Sequence, residues 1–275
     1  MKIRSLFIPA VGCLLGVLAI GPMIFGQRDS RNGGGTFEWL MSGELGRPAG
    51  KPVTGAPFSA QVVVENSRTL QNGVHITETA TGALYRDSQG RIRRDKPRDG
   101  EAEIGMIDDP VAGVQYRLHL FQHTVAKMSY SEMENVTREL QERRKVEAAQ
   151  HPETTEKARS ESASLENRRV AISEPKSETL APQTIDGIQV QGTRQTRTVP
   201  AGAMGNDKEF DIVQETWYSP ALQMVVMFKM SNPARGDMTM KLANITQGEP
   251  QHSLFEPPSD FTVAAERTEG WSVKK

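Results

Sequence analysis

Four groups of residues in this chain have types and spacings that could do chemistry. His119 and His123 stand four apart, which on a helix places two imidazoles around one metal ion. On an extended chain they share a face with Phe121 but sit about 13 Å apart, too far for one ion. No acid or third imidazole lies beside them in sequence. Asp108-Asp109 is a pair of carboxylates of the kind that does acid–base work. Asp109 precedes Pro110, however, and Asp-Pro is ordinary turn usage. "GRPAGKP" has the outline of a phosphate loop and fails on spacing. Gly46 and Gly50 are too close, Pro52 stands where Ser or Thr must follow Lys51, and no helix begins there.

The fourth group is "GALYRDSQGRIRRD", residues 82–95, which crowds Arg86, Arg91, Arg93 and Arg94 around a turn. Such a cluster could hold phosphate or nucleic acid. Against that, 33 basic residues balance 34 acidic ones for a net charge of -1, and no stacking aromatics interleave the arginines. The turn residues Asp87, Ser88, Gln89 and Gly90 suit a tight hairpin with Gly90 at positive φ. Asp87 then faces Arg91, and Tyr85 lies against Arg93. With Ile92 its only large apolar residue, the second strand is expected to be exposed or at an edge, kept soluble by charge.

No Gly-x-Ser-x-Gly, no His-Glu-x-x-His and no nucleophile with an evident base occurs. Cys13 is the only cysteine, so the body has no disulfide and no thiol chemistry. The sequence assigns no catalytic, cofactor or metal-binding residue, and reads as a protein that is not an enzyme.

One pattern does suggest a ligand face. In "LQMVVMFKM" the even positions Leu222, Met224, Val226, Phe228 and Met230 face one way if the segment is a regular strand. After a turn, Met238, Met240 and Leu242 form a second row with the same spacing. In an antiparallel hairpin the rows lie side by side. Methionine is flexible and polarizable, so the face would adapt to apolar ligands such as acyl chains, or else be filled as core.

The elements that must carry these residues are strands. "FSAQVVVE" alternates with period two, Asn72-Gly73 is a tight-turn signal, and "VHITETATGALYRD" continues extended. "AEIGMID" and "VQYRLHLF" follow, then five later strands end in "FTV". Residues 131–178 differ. Ser131 and Glu134 read as a capping box opening a helix whose thin stripe (Met133, Val136, Leu140) fades into a charged, core-poor segment. About nine or ten sequential strands predict a mainly β (α+β) fold. The expected form is a large curved antiparallel sheet or half-barrel with one or two helices, one of them crossing its concave face.

Lys2 and Arg4 precede an apolar run from Leu6 to Phe25, an export signal or an N-terminal membrane anchor over residues 1–26. Residues 27–56 read as a linker, 57–265 as a single β-rich domain carrying the 131–178 insertion, and 266–275 as a tail. The body is therefore expected in the periplasm or anchored to the inner membrane facing it.

Several phrases together ("YRDSQGRIRRD", "IDDPVAGVQY", "TIDGIQVQGTR", "VPAGAMGND", "ETWYSPALQMVV", "NPARGDMTMKLANI", "LFEPPSDFTV") resemble a family of uncharacterised exported proteins of environmental bacteria, over roughly residues 56–263. More remotely, the strand order and closing segment are similar to LolA-like envelope proteins, which include lipoprotein carriers and the sensor domain of MucB/RseB. That resemblance implies a curved sheet over helices with an apolar cavity, and implies no reaction. The first functional reading is a non-enzymatic envelope protein binding a lipid, lipoprotein or partner protein through its apolar sheet face, with no nucleic acid. The second is a membrane-tethered sensing or adaptor module, in contact with the membrane through an uncleaved N-terminus. An enzyme of another type is the third.

Overall fold

A computed structural model describes residues 52–70, 72–98, 101–150 and 173–263. The expected export signal or anchor, most of the expected linker, residues 151–172 of the 131–178 segment and the expected tail lie outside them. Among the described residues no helix is long and apolar enough to cross a membrane, which leaves membrane crossing by strands untouched.

Among the described residues twelve strands form one curved sheet, a mostly β fold as the alternating pattern predicts. In chain order they are β1 (Phe58–Thr69), β2 (His75–Arg86), β3 (Ile92–Arg98), β4 (Glu101–Asp109), β5 (Val114–His119) and β6 (Thr124–Ser129), then β7 (Lys176–Ile185), β8 (Ile188–Val199), β9 (Phe210–Ser219), β10 (Met224–Asn232), β11 (Gly236–Gln247) and β12 (Thr262–Val263). A helix, α1 (Tyr130–Gln150), separates β6 from β7. The spatial order is β12-β6-β5-β4-β3-β2-β1-β11-β10-β9-β8-β7. Two up-and-down meanders, β1 to β6 and β7 to β11, are thus joined side by side through β1 and β11. All neighbours are antiparallel except β12 on β6, which is parallel.

Strand alternation builds the core. Phe58, Ala60, Val62 and Val64 of β1 are buried on what we call the front face, and the intervening residues lie on the back. The main cluster gathers these with Leu84, Met238, Met240, Leu242, Val226, Phe228, Trp217, Ile188 and Val190. A second cluster sits on the back of β4 to β6, where Ile107, Leu118 and Val125 are covered by Phe255, Leu254 and Phe261. These covering residues belong to a C-terminal strap that makes a 3-10 turn (His252–Phe255) and ends in β12. The indole of Trp217 lies on Gly192, whose added Cβ would stand 2.5 Å from Cζ3 of that ring. Only glycine permits that approach.

Four expectations are corrected. β6 and β7 were not among the expected strands: "TVAKMS" and "KSETLAPQTI" carry too few large apolar residues to signal themselves. The strand after the arginine turn is not exposed or at an edge. It is β3, held between β2 and β4, with Ile92 and Arg94 both buried. The helix does not cross the concave face; its side chains are mostly exposed, and only its start packs, against β6. Its capping box is Ser129 with Glu132, two residues earlier than Ser131 with Glu134. Ser129 N–H and Oγ–H both donate to Glu132 Oε2 at 2.6 Å, and Glu132 N–H donates back to Ser129 Oγ at 3.2 Å. The hydrogen bonds from Ser129, its hydroxyl first, hold the Glu132 carboxyl below its usual pKa. A depressed carboxyl pKa makes this cap a stabilising feature at neutral pH that is lost as pH falls through the folded value.

The hairpin arginines are ties within the fold. Arg86, 1% exposed, donates through Nε and Nη2 to Ala56 O (2.9 and 2.7 Å) and through Nη2 to Leu222 O (2.5 Å). Its guanidinium also lies 4.9 Å from the centroid of the Phe58 ring. Burial lowers its pKa to about 10, so it remains a cation at neutral pH. Arg86→Met keeps the stem volume and removes every donor, stranding the buried Leu222 carbonyl at about 1–3 kcal/mol and the half-buried Ala56 carbonyl at less. The expected result is a urea midpoint lowered at unchanged slope, against a near-normal midpoint for the exposed Lys229→Met.

Candidate ligand face

The Met-rich hairpin is formed by β10 and β11, turned at Asn232–Gly236. Asn232 is buried, and its Oδ1 accepts from Ala234 N–H at 3.0 Å while its carbonyl accepts from Arg235 N–H at 2.9 Å. That closure sets the register Phe228↔Met240 and Met230↔Met238. β1 continues both rows, with Val64↔Met240, Val62↔Leu242 and Asn66↔Met238. Three strands therefore present Val62, Val64, Met238, Met240, Leu242, Phe228 and Met230 together on the front face.

The single alternating row expected along 222–230 is interrupted. The β9–β10 register shifts between Val225 and Met227, so Met224 and Met227 pair with Ser219 and Trp217 on one face while Phe228 pairs with Thr216 on the other. Leu222 lies in the turn before β10, with its N–H on Ser219 Oγ at 3.1 Å. The bulge places Val226, Met227 and Phe228 all in the core, which a regular strand cannot do. Leu222, Met224, Val226, Phe228, Met238, Met240 and Leu242 are buried, and Met230 is half-buried at the margin. From Met230 the front face continues through Gln214 and Gln195, also half-buried, as register partners along β9 and β8.

The other half of the front face sets buried charges among its apolar residues, and sequence reasoning missed them. One rung runs Phe58, Arg86, Ile92, Asp108, Gln115, Met128 in direct register across β1 to β6, and all six are buried. Tyr130 Oη donates to Asp108 Oδ1 at 2.7 Å. The signal was present: Arg86 and Arg94 fall in phase with Leu84 and Ile92, an inward parity that their charge concealed. Asp109, by contrast, is a turn residue as expected, accepting from Val111 and Ala112 N–H at 2.9 Å each.

The arginine turn faces the strap. Asp87 accepts from Gln89 N–H at 3.0 Å and Arg91 N–H at 2.8 Å and pairs with Arg91 Nη1 at 3.2 Å. Arg91 Nη1 reaches His252 Nε2 at 3.0 Å, and Arg93 Nη1 donates to Leu254 O at 3.2 Å while its Nε pairs with Asp95 at 2.9 Å. Gly90, at φ 85°, lets Val53 O come within 3.0 Å of where a Cβ would be. Tyr85 and Arg93 are register partners, as expected. These cations are already engaged by protein acceptors, leaving no cluster aimed at phosphate.

The two histidines do not converge. His119 ends β5, while His123 sits in the following turn at φ 46° and pairs through Nδ1 with Asp260 Oδ2 at 2.6 Å. Among the described residues no group of three His, Cys, Asp or Glu side chains could hold a metal.

Burial sorts the methionines. Met240, 0% exposed, is packed on every side, so Met240→Ala should cost about 2–5 kcal/mol. Met230→Ala, at the half-buried margin, should fall well below that range. Denaturant midpoints of the two variants measure the difference.

Neither a family model nor a curated protein matches the chain. Solved structures do. The chain is similar to the Pseudomonas aeruginosa MucA/MucB complex structure, at 11% identity and a TM-score of 0.39, over 77% of this chain and 59% of that one. A LolA superfamily protein from Nitrosomonas europaea matches at 5% identity and TM-score 0.30, over 74% and 92%. The Mycobacterium tuberculosis lipoprotein LppX matches at 10% identity and TM-score 0.27, over 70% and 87%. The chain spans less than two thirds of the MucB-complex chain. These likenesses concern the fold: the chain is remotely similar to LolA-like and MucB-like envelope proteins.

Proposed function

We propose that this is a non-enzymatic envelope protein that binds a lipid, the acyl part of a lipoprotein, or an apolar segment of a partner protein on the front face. The observation that carries the reading is the pair of rungs Val64-Met240-Phe228 and Asn66-Met238-Met230. They form a soft apolar floor that grades from buried to half-buried at Met230 and continues into Gln214 and Gln195. Thioether side chains change rotamer at little cost, so a packed methionine face can yield to an entering chain where a Val or Ile face resists. An acyl chain laid from the Met230 margin inward would bury apolar area at about 25 cal/mol per Å², with its polar end left beside the glutamines. Export would put the body in the periplasm, free or held at the inner membrane by residues 1–26.

Protein purified from the envelope of its own host should carry lipid in native mass spectrometry. Met230→Lys, which puts an ammonium at the entrance and leaves the packed core alone, should lower that occupancy about tenfold or more. A chain that is empty both as isolated and after incubation with phospholipid vesicles overturns the reading. N-terminal sequencing separates the soluble from the tethered form: cleavage near Gln27 in the periplasmic fraction marks the first, the full-length chain in the membrane the second.

A further inference from the structure

Sheet edges are where a fold exposes unpaired backbone to other chains. The outer edge β7 carries the devices that discourage this. It has Lys176 and Pro182, and its register with β8 shifts between Leu180 and Gln183. At the opposite edge, β12 is two residues long. A third edge lies inside the sheet. β2 pairs with β1 along its whole length, His75 to Arg86, but with β3 only from Ala83 to Arg86. β3 leaves β2 where its register with β4 shifts, between Lys96 and Pro97, and Pro97 has no N–H to give a ladder. From His75 to Gly82, β2 therefore has no strand on its outer side among the described residues.

This edge lacks the devices that β7 carries. It contains no Lys or Pro, its register with β1 runs without a shift, and five consecutive residues from Thr77 to Thr81 are exposed. Thr77, Thr79 and Thr81 line the back face, and β-branched side chains make favourable cross-strand pairs. Two exposed carboxylates flank the edge, Glu78 on the front and Glu65, opposite Thr79, on the back. Neither forms an ion pair among the described residues.

We propose that the open edge of β2, from His75 to Gly82, takes an extended basic segment of a partner polypeptide as an added strand. Backbone hydrogen bonds to alternate β2 residues would hold the segment, and its Lys or Arg side chains would meet Glu78 on one face and Glu65 on the other. This site adjoins the methionine face, where Glu78 is the register partner of Asn66, but its backbone pairing does not depend on a ligand there.

The test is amide hydrogen exchange of the full chain with a synthetic peptide of Thr-Thr-Lys-Lys repeats, which sets lysines on both faces of an added strand. Alternate amides between Ile76 and Gly82 should exchange about tenfold more slowly once the added strand pairs with them. Glu65→Lys with Glu78→Lys, both exposed changes, should weaken the peptide about threefold to tenfold. The same peptide N-methylated on alternate residues should not protect β2. Three results overturn the proposal: no protection at saturating peptide, protection confined to other strands, or equal binding by the double variant. So does protection of these amides in the peptide-free chain, whether it rises with protein concentration (a second copy pairs there) or disappears on removing residues 264–275 (the chain's own tail does).

Discussion

Everything in this fold depends on the pairing of β1 with β11. Among the described residues no other strand pairing links the two meanders, so this one ladder joins five strands to the rest. It is also where the core is most apolar, with Val62 on Leu242 and Val64 on Met240 in register. A one-residue slip would turn both rows from front to back at once, so burial specifies the register strongly. The irregularity near Ser59 and Gln61, with Asn244 at φ 53°, absorbs the extra residue in β11 beyond the apolar rows. The seam is thus regular at Val62 and Val64 and irregular beside Ala60, where β11 leaves the core.

Charge is used inside the sheet in an unusual way. Burying Arg86, Asp87, Arg94 and Asp108 costs desolvation that their partners must offset. Arg86 is partnered by two backbone carbonyls and an aromatic face, and Asp87 by two backbone N–H groups and Arg91. These contacts connect elements far apart in sequence: Ala56, the β2–β3 turn and Leu222. Arg91 and Arg93 extend the same linkage to the strap at His252 and Leu254. The arginine turn is a joint where the entry of the chain, the β10 turn and the C-terminal strap are held together.

Much of this was legible in the sequence, and the losses have physical causes. The long alternating strands, the Asn72-Gly73 hairpin and the Asp87–Arg91 contact follow from period and turn chemistry, which are local. Edge strands such as β7 bury little and so carry little pattern. β6 is short, and "TVAKMS" buries only Val125 on the back and Met128 on the front, which makes no alternating pattern. The bulge at Val226 is invisible because an alternating apolar run looks the same with or without an extra residue. The charged rung was missed because Arg and Asp are ordinarily read as surface, and its burial is decided by tertiary partners.

The sheet order also gives the 131–178 segment a role that its composition does not suggest. β6 and β7 lie ten strand spacings apart, about 48 Å along the sheet at 4.8 Å per strand. The chain must cover whatever distance the sheet's curvature leaves between them. α1, with 21 residues, supplies about 31 Å of axial length at 1.5 Å per residue. A helix used to span distance needs length and solubility, and gains nothing from an apolar stripe. Its own pairs suffice: Lys145 with Glu142 at 2.7 Å, Arg138 with Asn135 at 2.7 Å, and the Ser129–Glu132 cap at its start. A segment that reads as a charged insertion is therefore the crossover that the two-meander topology requires.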